Sequence, residues 1–337
     1  MMGKNVAQIV TDKILNRMEE AETTGETFHW VKPFAVGAPD RAYSYETMKA
    51  YTGINRLLLD NTEHLTIRML NELNRNADGV HYQIRKGTKS NIVCFYAEKT
   101  YVDEETGEPL IDETTGKELK KKIIRYTPVF SREDIVRTDN GETLPSKFDV
   151  QRFDHDEINE HMRAALDRFN RLFNYFCKKY DITVEIVQDG TQAYFSHDKK
   201  IRVPAMNNFK SVYDWVTANA HEMAHATGML LGRFGGTLPL SEAKQSYARE
   251  ELIAEITAEI IANELQIIDD SDTPDNAVAY IHGWSSFLKD RPSEILRASA
   301  AAEKAAQLIL ETLREMELEE QQAKENMTDK EMSDDER

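Results

Sequence analysis

The sequence predicts an α+β protein: a mixed α/β N-terminal domain over 1–150, a mostly helical domain over 151–318 and an acidic tail over 319–337. Three observations carry this prediction. Short β-rich runs gather at 80–86, 91–98 and 123–130. From residue 156 onward, apolar residues recur mostly at helical spacing. One of these later helices carries two histidines four residues apart, His221-Glu222-Met223-Ala224-His225, a pattern that demands a buried polar site.

The elements follow in chain order. Val6, Ile9, Val10, Ile14 and Met18 fall at helical spacing and predict an amphipathic helix over 5–19. A loop with Phe28, Trp30, Pro33, Phe34 and Pro39 comes next. Helical patterns over 44–60, interrupted by Gly53, and over 64–76, stopped at Asp78-Gly79, complete the first helical stretch. The strand runs at 80–86 and 91–98 are split by Arg85-Lys86-Gly87-Thr88. Between the second and third runs lies 103–120, with turn signals at Thr106-Gly107 and Thr115-Gly116, which predicts a protruding hairpin or mobile loop. No internal repeat is read. A long amphipathic helix is expected over 156–180, strands over 182–187 and 193–203 with a turn near His197-Asp198, and helices over 211–230, 243–266, 273–289 and 298–318. From 321 the chain is charged with almost no large apolar residue, which predicts disorder.

Composition excludes several classes. No apolar run approaches the ~20 residues of a bilayer span, and the start of the chain lacks a secretory apolar stretch. Cys94 and Cys177 match no metal spacing and make no disulfide scaffold, so a reducing cytoplasm and no membrane partner are expected. The net charge of −17 argues against a generally basic nucleic-acid binder. The charge is uneven, however. Residues 1–150 hold 21 Lys and Arg against 24 Asp and Glu; without the acidic stretch 103–118 (seven acids, one Lys) the balance is 20 against 17. A basic face on the N-terminal part is compatible with these numbers.

The helix spacing of His221 and His225 puts both imidazoles on one face, where both can hold one ion. Glu222 sits beside them, placed to take a proton from a zinc-activated water, as in the H-E-x-x-H zincin signature. A helix as apolar as the one carrying Val212, Trp215 and Val216 is buried, and two His and a Glu there are costly without partners. A third ligand is needed. Glu251, Glu255 and Glu259 form an i, i+4, i+8 row downstream, whose mutual repulsion a cation would relieve.

These residues resemble the ArdC-type antirestriction proteins of conjugative plasmids and related mobile elements. In the first half the resemblance rests on Trp30-Val31-Lys32-Pro33-Phe34, Tyr51-Thr52-Gly53-Ile54-Asn55-Arg56-Leu57-Leu58-Leu59, Ile84-Arg85-Lys86-Gly87-Thr88-Lys89 and Tyr126-Thr127-Pro128-Val129-Phe130. In the second half it rests on Ala193-Tyr194-Phe195, Ile201-Arg202-Val203-Pro204, His221 through Gly228, the segment Glu250–Glu255 and Tyr280-Ile281-His282-Gly283-Trp284. The resemblance implies a single-stranded-DNA-binding domain followed by a zincin-like metallopeptidase domain. It implies Glu222 as catalytic base, and His221, His225 and a Glu of the following helix as ligands to Zn2+. Glu251, at the start of that helix, is the favoured ligand, with Glu255 in reserve. The sequence departs from the family at Ala226, where an aromatic residue is frequent, and in the charge of 103–118.

Single-strand binding needs cations for phosphates and aromatic faces for bases. Arg85, Lys86 and Lys89 cluster at a turn, Tyr82 and Tyr96 flank them in strand runs, and Asn55 and Arg56 lie at a Gly-led helix break; these residues form the expected DNA-binding set. Three functions compete: a DNA-associated metalloprotein that protects incoming DNA, a metallopeptidase that cleaves a specific host protein, and a non-enzymatic DNA-binding protein with structural zinc.

Overall fold

The chain was analysed in a computed structural model, which describes residues 5–76, 79–103, 105–112, 114–148, 155–188, 190, 192–196, 198–234, 240–270 and 277–335. The expected helix stop at Asp78, the turn at His197 and the start of the 273–289 helix lie outside these residues, as does the domain boundary at 150.

Asn5 opens the first helix by accepting the Gln8 N–H at 2.8 Å, and Gly25, at φ 74°, closes it in the left-handed region where glycine is unstrained. Helix α1 (Val6–Thr24) buries Val10, Ile14 and Met18, the stripe expected from spacing. The aromatic loop that follows is core rather than surface: Trp30 is fully buried and meets Phe28 and Trp284 edge-on at 5.1 and 5.9 Å.

The helix expected over 44–60 is mostly absent. Strand β1 (Tyr43–Ser44) runs parallel to β2 (Glu63–Leu65), and the Tyr43 N–H bonds to the Thr62 carbonyl at 2.9 Å. Met48 and Gly53 both adopt positive φ, 54° and 58°, so only α2 (Ile54–Leu58) is helical. Tertiary strand pairing has overridden local periodicity. The same pairing delays the next helix, α3 (Ile67–Asn76).

All three β-rich runs are strands, but the first two belong to different sheets. β3 (Tyr82–Ile84) pairs with β6 (Ile135–Arg137), whereas β4 (Asn91–Thr100) forms a long antiparallel ribbon with β5 (Lys120–Ser131). The larger sheet has order β1-β2-β5-β4. At the ribbon's end the chain holds a tandem repeat after all: Val102–Leu110 and Ile111–Leu119 are two copies of one unit, V-D-E-E-T-G-E-P-L and I-D-E-T-T-G-K-E-L. The Oδ1 of Asp103 accepts the Glu105 and Thr106 N–H groups at 2.9 and 2.8 Å; Asp112 does the same for Thr114 and Thr115 at 2.8 and 2.9 Å. Gly107 and Gly116 complete the two turns at φ 73° and 66°. The expected protrusion is thus a hydrogen-bonded double turn.

The second half follows the predicted order. Helix α4 (His155–Lys179) leads to β7 (Thr183–Val187), β8 (Tyr194–Ser196) and β9 (Lys200–Pro204), a sheet of order β7-β9-β8 in which β8 is an edge. Helices α5 (Val212–Leu230), α6 (Leu240–Glu264), α7 (Ala277–Asp290) and α8 (Glu294–Asp335) follow, with α5 packed along α6 and α6 along α8. The tail expected to be disordered from 319 instead continues α8. Ion pairs to α4 support it (Arg168–Glu317 at 2.6 Å, and Arg171–Glu320), and beyond them a Gln321–Glu325 pair at i, i+4. A criterion of apolar content alone misses this support.

The principal core ignores the expected domain boundary. Val10, Ile14, Trp30, Leu57 and Ile92 share one cluster with Phe169, Val216, Ile256 and Ile309. A smaller core of Leu65, Leu70, Ile135 and Leu144 lies under the β3–β6 sheet. Among the described residues, no helix is long and apolar enough to cross a membrane.

Candidate metal centre

Ser211 caps α5 by accepting the Asp214 N–H, and the helix then runs through the core, burying Trp215, Val216, Ala220, Met223 and Ala224. Its repeat stacks His221 over His225, with their Nε2 atoms 3.0 Å apart. The packing of α6 brings the Glu251 carboxylate to 3.6 Å from each Nε2. Ligand atoms of the three residues all lie within 4.8 Å of one another. Bonds of about 2.0–2.1 Å in tetrahedral geometry place ligand atoms roughly 3.3 Å apart, so this donor set fits one small divalent ion.

Glu222 lines the same cavity as His221 and His225. It is 5% exposed, its carboxylate accepts the Phe195 N–H of edge strand β8, and its Oε2 is buried with no partner among the described residues. A buried oxygen without a partner is costly and invites a water or an ion-bound group. Burial pushes the Glu222 carboxyl above the usual range, opposed by the fields of His221 and His225. Burial works against a charged His221, but the hydrogen bond to Glu251 and the charges of Glu255 and Glu222 outweigh it, so its pKa is raised. Glu251 moves down despite its burial, because His221 and His225 favour its charged form. These residues, Tyr194 and Phe195 of β8, and Tyr247 line a cavity of ≈ 410 Å³.

The acidic row on α6 divides into three roles. Glu251 faces both Nε2 atoms. Glu255 lies 4.0 Å from the opposite nitrogen of His221, Nδ1, behind the site. Glu259 is away from the metal centre: its Oε2 accepts the Val31 N–H at 2.6 Å, and His29 lies 3.9 Å from its Oε1. Burial raises the Glu259 carboxyl to about 7.

Two neighbours of the site had no clear sequence signal. Glu250, one residue before the expected ligand, sits 3.6 Å from His225 Nδ1 and is gripped by both Arg233 nitrogens at 2.6 and 2.9 Å. Arg233 also donates to the Ala224 carbonyl at 2.8 Å. A carboxylate on the far nitrogen of a ligating His fixes its tautomer and ring orientation. Gly228 makes room for this arrangement, since a Cβ there would stand 2.5 Å from Phe234 and 2.9 Å from Glu250. Nothing but adjacency to Glu251 marks Glu250, and nothing in the sequence marks Arg233.

The expected DNA-binding set is not brought together. Asn55 is 9% exposed and spends its amide on the backbone N–H and carbonyl of Cys94, at 2.7 and 2.9 Å. Arg56 is 3% exposed and pairs with Glu264 at 2.6 Å and Glu303 at 3.1 Å. Both are internal ties, which corrects the expectation that they face DNA. Arg85, Lys86 and Lys89 are exposed after β3, with Tyr82 half-buried beside them and its backbone held by Asn74. Tyr96 lies elsewhere, on the β4–β5 ribbon, and is 68% exposed.

A mixed α/β N-terminal half joined to a His-Glu-His helix, with a candidate carboxylate ligand on the next helix and an edge strand alongside, defines a zincin-like arrangement. Comparison with known proteins agrees: residues 173–301 match the zincin-like metallopeptidase family, and residues 4–130 match the N-terminal domain of the anti-restriction factor ArdC. The chain therefore joins an ArdC-type N-terminal domain to a zincin-like domain. The metal-free crystal structure of the antirestriction ArdC protein from the R388 plasmid superposes with a TM-score of 0.60 at 25% identity, covering 93% of this chain and 99% of that one. The Mn(II)-bound crystal structure of the same protein gives a TM-score of 0.57 at 24% identity, covering 92% and 98%. Two Escherichia coli proteins named DNA primase TraC are 28% and 27% identical over 309 and 308 residues. The alignments span 89% and 90% of this chain but only 27% and 20% of those proteins.

Proposed function

We propose that this chain is a zinc-dependent peptidase of antirestriction type that also binds single-stranded DNA. One observation carries the catalytic half: Glu222 holds a buried, unpartnered carboxylate oxygen beside a three-residue donor set sized for one ion. His221, His225 and Glu251 would hold the ion, and Glu250 would orient His225. Zn2+ is the choice because two imidazoles and one carboxylate suit it; when bound, it supplies Lewis-acid polarisation and an activated water. Glu222 accepts a proton at its carboxylate and returns it to the leaving amine. Strand β8 offers an edge along which an extended peptide can lie beside Glu222. The nucleic-acid half is supported by the match to the ArdC N-terminal domain and by the primase names of the two relatives.

The test of catalysis is Glu222→Gln, which keeps size and hydrogen-bonding capacity and removes the base. With zinc present, the wild-type chain is expected to cleave an unfolded protein such as casein; the variant is expected to keep its metal and its melting temperature and to lose cleavage. Cleavage by the variant at the wild-type rate rules out Glu222 as the base.

A further inference from the structure

The ribbon β4–β5 and helix α8 enclose a second cavity, of ≈ 600 Å³, next to the metal centre. Its ribbon wall follows from strand alternation. Tyr96 is directly opposite Ile124, so both side chains share one face, and the pair Glu98–Lys122 continues that face outward. The helix wall presents Leu296, Arg297 and Lys304. Among the described residues, all the charged side chains lining the cavity are cations, Arg233, Arg297 and Lys304, in a chain whose net charge is −17. The side chain of Arg297 is 65% exposed even though one nitrogen bonds Glu294 at 2.7 Å, so the guanidinium keeps further donors for a ligand. Arg233 lines both this groove and the metal cavity, so the two adjoin at that side chain.

A carboxylate-free, cationic lining calls for a polyanion, and an exposed ring on its wall calls for a flat partner. A peptide is the poorer occupant. Extended peptides bind by pairing with a strand edge, whereas the ribbon wall of this groove is the side-chain face carrying Tyr96 and Ile124, and the outer edge of β4 is taken at Cys94 by the Asn55 amide. The edge strand β8 lies in the metal cavity instead.

We propose that this groove is the binding track for single-stranded nucleic acid, with Arg297 and Lys304 on phosphates and Tyr96 stacked on a base, and that the track leads toward the metal centre at Arg233. The inference rests on the single-strand-binding reading above and moves the contact surface from the Arg85–Lys89 turn to a cleft built by both halves of the chain.

The test uses the full chain with zinc and a fluorescent oligo(dT), followed by anisotropy across a salt series. For single strands each phosphate contact contributes about −0.7 to the slope of log affinity against log salt. The double variant Arg297→Ala/Lys304→Ala is therefore expected to flatten the slope by about 1.4. Tyr96→Ala is expected to lower affinity roughly fivefold or more, the lower bound for one lost stacking contact. Metal content and melting temperature should stay at wild-type values in both variants. Wild-type slope and affinity in these variants, with loss of binding in Arg85→Ala/Lys86→Ala, overturns the groove and leaves single-strand binding standing. No binding of oligo(dT) by the wild-type chain at low salt overturns the single-strand reading itself. If polyglutamate of matched charge displaces the oligonucleotide equally well and Tyr96→Ala has no effect, the track takes acidic peptide and the proposal is wrong.

Discussion

Arg56→Ala tests the reading of this residue as an internal tie instead of a DNA contact. Its side chain is 1% exposed, with Glu264 at 2.6 Å from α6 and Glu303 at 3.1 Å from α8. Removing one partner of a buried ion pair leaves uncompensated charge, at a cost of roughly 3–5 kcal/mol. The lower end applies here. Glu264 keeps Arg41, and Glu303, 24% exposed, keeps the Gly53 N–H at 2.9 Å. At roughly 2 °C per kcal/mol for a cooperative unit of this size, a loss of about 3 kcal/mol lowers Tm by about 6 °C. The assay is thermal unfolding of the full chain, paired with oligo(dT) binding at a temperature where the variant is folded. The expected result is a lowered Tm with unchanged affinity. An unchanged Tm with lost affinity would show that the arginine reaches DNA and that the ion pairs are incidental. Adding Glu303→Gln to the variant should recover part of the loss, because the carboxylate that lost its arginine is then neutral while Glu264 stays charged for Arg41.

Two further predictions concern the acidic row. Glu251→Gln should weaken zinc binding by more than about 100-fold, and Glu255→Gln, which lies behind His221, by about 10-fold; competition with a chelating dye orders them, and the reverse order shifts the ligand one turn along α6. Glu259 carries a prediction about pH. Its folded carboxyl, raised by burial to about 7 against an ordinary 4.5, holds its proton to higher pH than the unfolded chain does. Its contribution to stability is therefore full below about 4.5 and is lost as pH rises to about 7, a difference of roughly 3 kcal/mol. Glu259→Gln, which can still accept the Val31 N–H, should gain Tm relative to wild type between pH 5 and pH 8; a difference that stays flat with pH contradicts the buried charge.

The metal centre was legible because its chemistry is local. Helical spacing alone stacks His221 on His225, and a row of acids at the same spacing on the next helix announces a carboxylate ligand. The long helices were legible for the same reason, since the stripe Val10, Ile14 and Met18 repeats with the helix itself. What failed was non-local. Residues 44–52 follow a helical pattern, yet pairing of Tyr43–Ser44 with Glu63–His64 wins there. Asn55 and Arg56 look like surface polar groups beside a glycine until β4 takes the Asn55 amide and α6 and α8 close over Arg56. Glu250 and Arg233 matter only because α5 and α6 are adjacent, which no periodicity reveals. The tandem double turn was present in the sequence but was masked by its charge, which invites a reading by composition instead of by unit.

Elemental analysis of the purified full chain beside His225→Ala tests the central claim most directly. The wild-type chain is expected to carry about one divalent ion, preferentially zinc when zinc and manganese are offered together, and the variant is expected to carry none. Equal metal in both proteins, or no metal bound by the wild-type chain at saturating zinc, would contradict the assignment of His221, His225 and Glu251 as a metal centre.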